Sequence, residues 1–151
     1  MESYNDIQLE INQVVKNEMD SLYSVYGLKR MDMLKAKLLL SLLTRVFLLK
    51  ESRNVEFWKE MVNQIGTIDK YYLVQDKEDK VKLLNDFISI VFDKMKVSEL
   101  GVNPLDYFSK GDEVGKTLSD FFDDNKEMVL KYLEIINKTI DRIIKSLENG
   151  K

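Results

Sequence analysis

The chain has 151 residues and a mass of 17.8 kDa, the length of one domain that buries about two thirds of its unfolded surface. It contains no histidine and no cysteine, which excludes thiolate nucleophiles, Ser-His-Asp relays, imidazole or thiolate zinc sites and disulfides. A net charge of −3 is unlike that of a strongly basic nucleic-acid binder, and 44% hydrophobic content with a single proline predicts a folded chain of long helices.

The first periodic unit places Ile7, Ile11, Val14, Val15, Leu22 and Tyr26 on one face, with Ser3 and Asp6 in capping-box spacing and Gly27 beyond the end. It predicts a helix over 4–26. The second unit, 31–51, is apolar nearly all round, so it is expected to be a buried central helix. Its core residues are Leu38, Leu39, Leu42, Leu43, Val46 and Phe47, and a narrow polar stripe runs through Arg30, Lys37, Ser41, Thr44 and Arg45. Within it, 33–49 is the one stretch with the look of a membrane span, but Lys35, Lys37 and Arg45 are each costly at a bilayer centre. No membrane segment is expected.

A third helix is predicted to start after Asn54, to bury some combination of Phe57, Trp58, Met61, Val62 and Ile65, and to stop at Gly66. Tyr71-Tyr72-Leu73-Val74 has strand-like composition but no second strand to pair with, so 67–75 reads as an extended connector or one helical turn. Asp76 caps a helix expected to reach Lys96 with Val81, Leu84, Phe87, Ile88, Val91 and Met95 in register. Asn103-Pro104 starts a short helix over 105–109, and a second short one spans 113–122 with Val114, Leu118, Phe121 and Phe122 inward. Asp124 or Asn125 opens the last helix. There Val129, Leu133, Ile136, Ile140, Ile143 and Leu147 recur in steps of four and three, the seam spacing of helices packed at a shallow angle.

The expected fold is therefore all-α: a single-domain helical bundle over 1–151, of four long helices and two or three short ones. No repeat or linker divides the chain. The segment Met1 to Asn17 carries Glu2, Asp6 and Glu10 without a continuous apolar core, so a secretory signal is not expected and a cytoplasmic location is.

Several features bear on chemistry. Gly111-Asp-Glu-Val-Gly115-Lys116-Thr117 imitates a phosphate-binding loop but is one residue short between its glycines and follows no buried strand. Asp112, Glu113, Asp120, Asp123, Asp124 and Glu127 are dense enough for an oxygen-bound cation, yet a solvated helix junction explains them equally. Between 28 and 53 the balance is basic: Lys29, Arg30, Lys35, Lys37, Arg45, Lys50 and Arg53 face only Asp32 and Glu51. Of these, Arg30, Lys37, Arg45 and Arg53 are the candidates for phosphate contact.

No cofactor, metal or catalytic residue is expected, and no enzymatic activity. The leading expectation is a non-catalytic protein-interaction module: an adaptor, regulator or accessory subunit. Tyr71, Tyr72, Val129, Leu133, Ile136 and Ile140 are its candidate interface, and a homodimer through the last helix is one form of it. The alternatives are a nucleic-acid accessory subunit using the basic stripe and, behind it, a carboxylate-metal enzyme.

Overall fold

The computed structural model describes residues 4–29, 32–33, 35–38, 46, 49–101 and 113–149. Its first helix, α1 (Tyr4–Val25), is held by apolar residues spaced four apart: Ile11, Val15, Met19 and Tyr23 are all buried. This stripe differs from the expected face. Val14 lies off it and is 42% exposed, whereas Met19 is fully enclosed. Gly27 takes the left-handed conformation (φ +56°) just past the helix end, a conformation that costs glycine little because it has no Cβ.

Of the expected central helix, 35–38 is helical, Ala36 and Leu38 are fully buried, and the Tyr23 hydroxyl donates to the Ala36 carbonyl at 2.9 Å. Val46 is buried as expected, while Leu39, Leu42, Leu43 and Phe47 lie outside the described residues. The helix does not run to Glu51: Leu49 has extended backbone (ψ 139°) and Lys50–Arg53 forms a 3-10 turn. Two buried hydrogen bonds fix that turn. Ser52 Oγ donates to the Leu49 carbonyl, and the indole N–H of Trp58, itself fully buried, donates to the Ser52 carbonyl.

Asn54 caps α2 (Val55–Asp69), accepting from the Glu56 amide at 3.0 Å. The helix passes through Gly66 instead of stopping there, because its next turn places Ile68 in the core. Tyr71–Leu73 is a single 3-10 turn, the helical form of the expected connector. Asp76 then caps α3 (Lys77–Ser89), accepting from the amides of Glu78 (2.8 Å) and Asp79 (3.2 Å).

The expected helix to Lys96 ends differently. Ile90–Lys94 widens into a π turn that turns both Val91 and Phe92 inward, Lys96 adopts a left-handed φ of 65°, and Val97–Leu100 is a 3-10 turn. The expected short helix 105–109 lies outside the described residues. The next helix, α4, spans Val114–Asp124 and buries Leu118, Phe121 and Phe122.

The last helix, α5 (Lys126–Asn149), buries Val129, Leu133, Ile136, Ile140 and Ile143 together with Met128 and Tyr132. Each enclosed Val, Leu or Ile contributes about 1.5–3 kcal/mol relative to its exposed state. α5 runs antiparallel to α1 on one side, where Arg142 meets Glu10 at 2.9 Å and Lys131 lies over the Tyr26 ring. On its other side it is antiparallel to α2, where Asn137 meets Asp69 and Lys59 meets Glu148. α3 and α4 form a third antiparallel pair. The architecture is an all-α helical bundle, with no strand among the described residues. No helix among them is long and apolar enough to cross a membrane.

Candidate protein interface

α3 and α4 are joined by a polar lock that engages Asp120 and Asp123 of the acidic run. Tyr71 is fully buried beside them, and its hydroxyl lies 2.8 Å from Asp123 Oδ1, 2.7 Å from Ser119 Oγ and 3.0 Å from the Ser119 carbonyl. A phenol has one proton, so the arrangement closes when Tyr71 donates to Asp123 and accepts from the Ser119 hydroxyl. Lys77 adds 2.8 Å and 2.9 Å contacts to Asp123 and Asp120, and Lys80 approaches Asp123 at 3.4 Å.

Burial works against ionisation of Asp123, but the hydrogen bonds from Lys77 and Tyr71 outweigh it and hold the carboxyl below the usual range. Burial pushes the Tyr71 phenol up to about 12, and it raises Tyr72 as well. Both oxygens of Asp123 thus face donors. Among the described residues no three carboxylates are grouped as a cation would need, and Asp112 lies outside them.

The Gly115-Lys116-Thr117 run sits within the first turns of α4. Gly115 is buried there against the side chain of Asn85 on α3, which a Cβ would strike. Its smallness serves helix packing, and the Thr117 hydroxyl donates to the Glu113 carbonyl. Gly111 lies outside the described residues.

The expected interface residues are placed as follows. Val129, Leu133, Ile136 and Ile140 are 0–3% exposed, so the seam of the last helix is filled by its own chain. Tyr71 is enclosed, and half-buried Tyr72 donates its hydroxyl to the Phe122 carbonyl at 2.8 Å while Lys126 lies over its ring. Only Leu73, 80% exposed, stands out from that turn. Of the basic residues, Arg30 and Arg45 lie outside the described residues; Lys37 and Arg53 are exposed, one on the 35–38 helical segment and the other in the 3-10 turn. Lys35, also from the basic segment, pairs with Asp32 at 3.4 Å.

A different surface brings apolar and charged groups together. Between the outer flanks of α1 and α5 runs an open groove of about 360 Å³, with Ile11, Val14, Val15, Leu22 and Ile135 as its floor. Its rim is Glu18 on the α1 side and Lys131, Glu134, Lys138 and Arg142 on the α5 side. Lys138 is paired with Glu134 at 3.0 Å and Arg142 with Glu10, both on exposed side chains. Glu18 and Lys131 make no ion pair among the described residues. The residues that distinguish this surface, Val14, Glu18, Leu22, Lys131, Ile135 and Lys138, were not singled out as a site by sequence reasoning. One signal points to them: α1 has apolar positions to spare once Ile11, Val15, Met19 and Tyr23 fill a stripe of strict four-residue spacing.

Comparison with known protein families, with curated proteins and with solved structures finds no match for this chain.

Proposed function

We propose that this chain is a non-catalytic protein-interaction module and that the groove between α1 and α5 is its docking surface. The observation that carries this reading is the form of the groove: an apolar floor, including a valine left 42% exposed, framed by charged side chains from two helices. Such a floor gains free energy when water is displaced from it, at about 25 cal/mol per Å² of apolar surface covered, and a charged rim fixes orientation. The polar groups best suited to chemistry, Tyr71, Ser119, Asp123 and Lys77, are engaged with one another in the α3–α4 lock, which supports a structural use for them. Cytoplasmic adaptor or accessory-subunit roles are compatible with this reading.

A photo-cross-linking side chain at position 14 tests the reading in cells, with the same group at exposed Lys82 on α3 as the control. An adduct of higher mass from position 14 that is not formed from position 82 is expected, whatever the partner. Absence of any adduct from position 14 would overturn the assignment of the groove.

A further inference from the structure

Resting on that reading of the groove, we propose that its occupant is a second copy of this chain, seated with α1 of each protomer against α5 of the other about a two-fold axis parallel to the helices. The argument is charge complementarity combined with register. On one wall of the groove stands Glu18, and on the other stand Lys131, Glu134 and Lys138, so that the α5 wall keeps a net positive charge although Glu134 is paired with Lys138. The contacts of Glu10 with Arg142 and of Tyr26 with Lys131 fix how α1 and α5 run past one another. Glu18 is midway between Glu10 and Tyr26, which sets it level with the stretch of α5 between Lys131 and Lys138.

A two-fold axis along the groove preserves that level while exchanging the walls. Glu18 of one copy then faces the interval between Lys131 and Lys138 of the other, and the same contact recurs at the symmetry mate. The floor meets its mate in the same operation, since Leu22 of one copy comes beside Ile135 of the other and Val14 beside Thr139. The result is a four-helix layer at the centre of the dimer in which each Glu18 meets a wall where lysines outnumber the one glutamate. An axis across the helices would instead stack α1 on α1, and one level with Glu18 would set Glu18 against the Glu18 of its mate. This arrangement relocates a dimer of the last helix from its buried seam, Val129 to Ile140, to its opposite flank.

The test uses the full chain and two charge-reversed variants, Glu18→Lys and the double substitution Lys131→Glu with Lys138→Glu, all at exposed positions. Mass is measured by light scattering across a concentration series, with circular dichroism confirming that each variant is helical. The wild type is expected to be a dimer, and each variant alone to dimerise at least about tenfold more weakly, because it sets like charges against each other twice. An equimolar mixture of the two variants is expected to recover the dimer, since both contacts in the mixed species are again lysine against glutamate.

Recovery on mixing cannot arise from effects within one chain. A wild-type monomer at all concentrations, a dimer indifferent to both substitutions, or failure of the mixture to recover would each overturn the proposal. If the wild type is monomeric while position 14 still cross-links in cells to another protein, the interaction module stands and the second copy is not its partner.

Discussion

Substitution of Gly115 by alanine sets two known effects against each other at one site. Alanine is favoured over glycine in a helix by up to about 1 kcal/mol, less in the first turn, where Gly115 lies. Its Cβ, however, would strike the Asn85 amide group. Asn85 has to swing away, lose the 3.2 Å hydrogen bond it donates to Glu113 and repack, for a cost of about 1–3 kcal/mol. The net expectation is a loss of about 1 kcal/mol in the wild-type background. In an Asn85→Ala background the obstacle is gone, and the same glycine substitution is expected to stabilise by about 0.5 kcal/mol. Urea unfolding followed by the fluorescence of the single tryptophan gives both values, a loss of 1 kcal/mol appearing as a midpoint shift of about 0.5 M when the slope is about 2 kcal/mol/M. Equal stabilisation in the two backgrounds would refute the reasoning and reopen the question of why a glycine occupies this position.

Tyr71→Phe leaves Ser119 and Asp123 without their buried phenol partner and is expected to cost about 1–3 kcal/mol, measured by the same unfolding experiment. Loss of the helix cap in Asp76→Ala removes the acceptor for two amides and is expected to cost about 1 kcal/mol, with hydrogen exchange accelerating at Glu78 and Asp79 before the rest of α3. The folded-state pKa of Tyr71 is raised, so the stability it contributes is complete below the ordinary phenol value near 10 and is lost as pH rises towards about 12. Alkaline titration followed by tyrosinate absorbance should therefore show a late phase coincident with unfolding, and a single phase near pH 10 in the intact fold would contradict the burial of Tyr71.

Where structure follows from neighbouring residues, it was legible. The caps Asn54 and Asp76, the left-handed Gly27 and the four-three rhythm of α5 all depend on groups within a turn or two of each other, and all appear where the sequence places them. Gly66 shows the limit of such reasoning. A glycine ends a helix when the chain needs a left-handed residue there; here it does not, since Ile68 two residues on reaches the core and extends α2 to Asp69. The π turn at Ile90–Lys94 is illegible for a related reason, since its benefit is the simultaneous burial of Val91 and Phe92 against other helices.

The candidate site was read less well than the fold. Tyr71 resembles a surface aromatic in a connector, but its hydroxyl finds partners 48 and 52 residues away, information that no local pattern contains. Val129, Leu133, Ile136 and Ile140 form a seam whose sequence is indifferent to whether the covering helices come from the same chain or another. Val14 sat on the expected core face, and only the observed rotation of α1 moves it to the groove. The phosphate candidates Arg30 and Arg45 lie outside the described residues.

The pairing of α1 with α5 has a consequence for the birth of the molecule. α1 is made before α5, which covers its Ile11-Val15-Met19-Tyr23 flank. Roughly a hundred residues separate Val25 from Lys126, which at about 5–20 residues per second is about 5–20 s of synthesis. Throughout that interval the apolar stripe of an amphipathic helix waits beside the ribosome for a partner not yet made. Its closure is a long-range event with a large loop to fold back, so temporary shelter of that flank by a chaperone is the expected outcome. Ribosome profiling of chaperone-bound nascent chains should place engagement between the emergence of α1 and that of α5, with release once the last helix clears the exit tunnel.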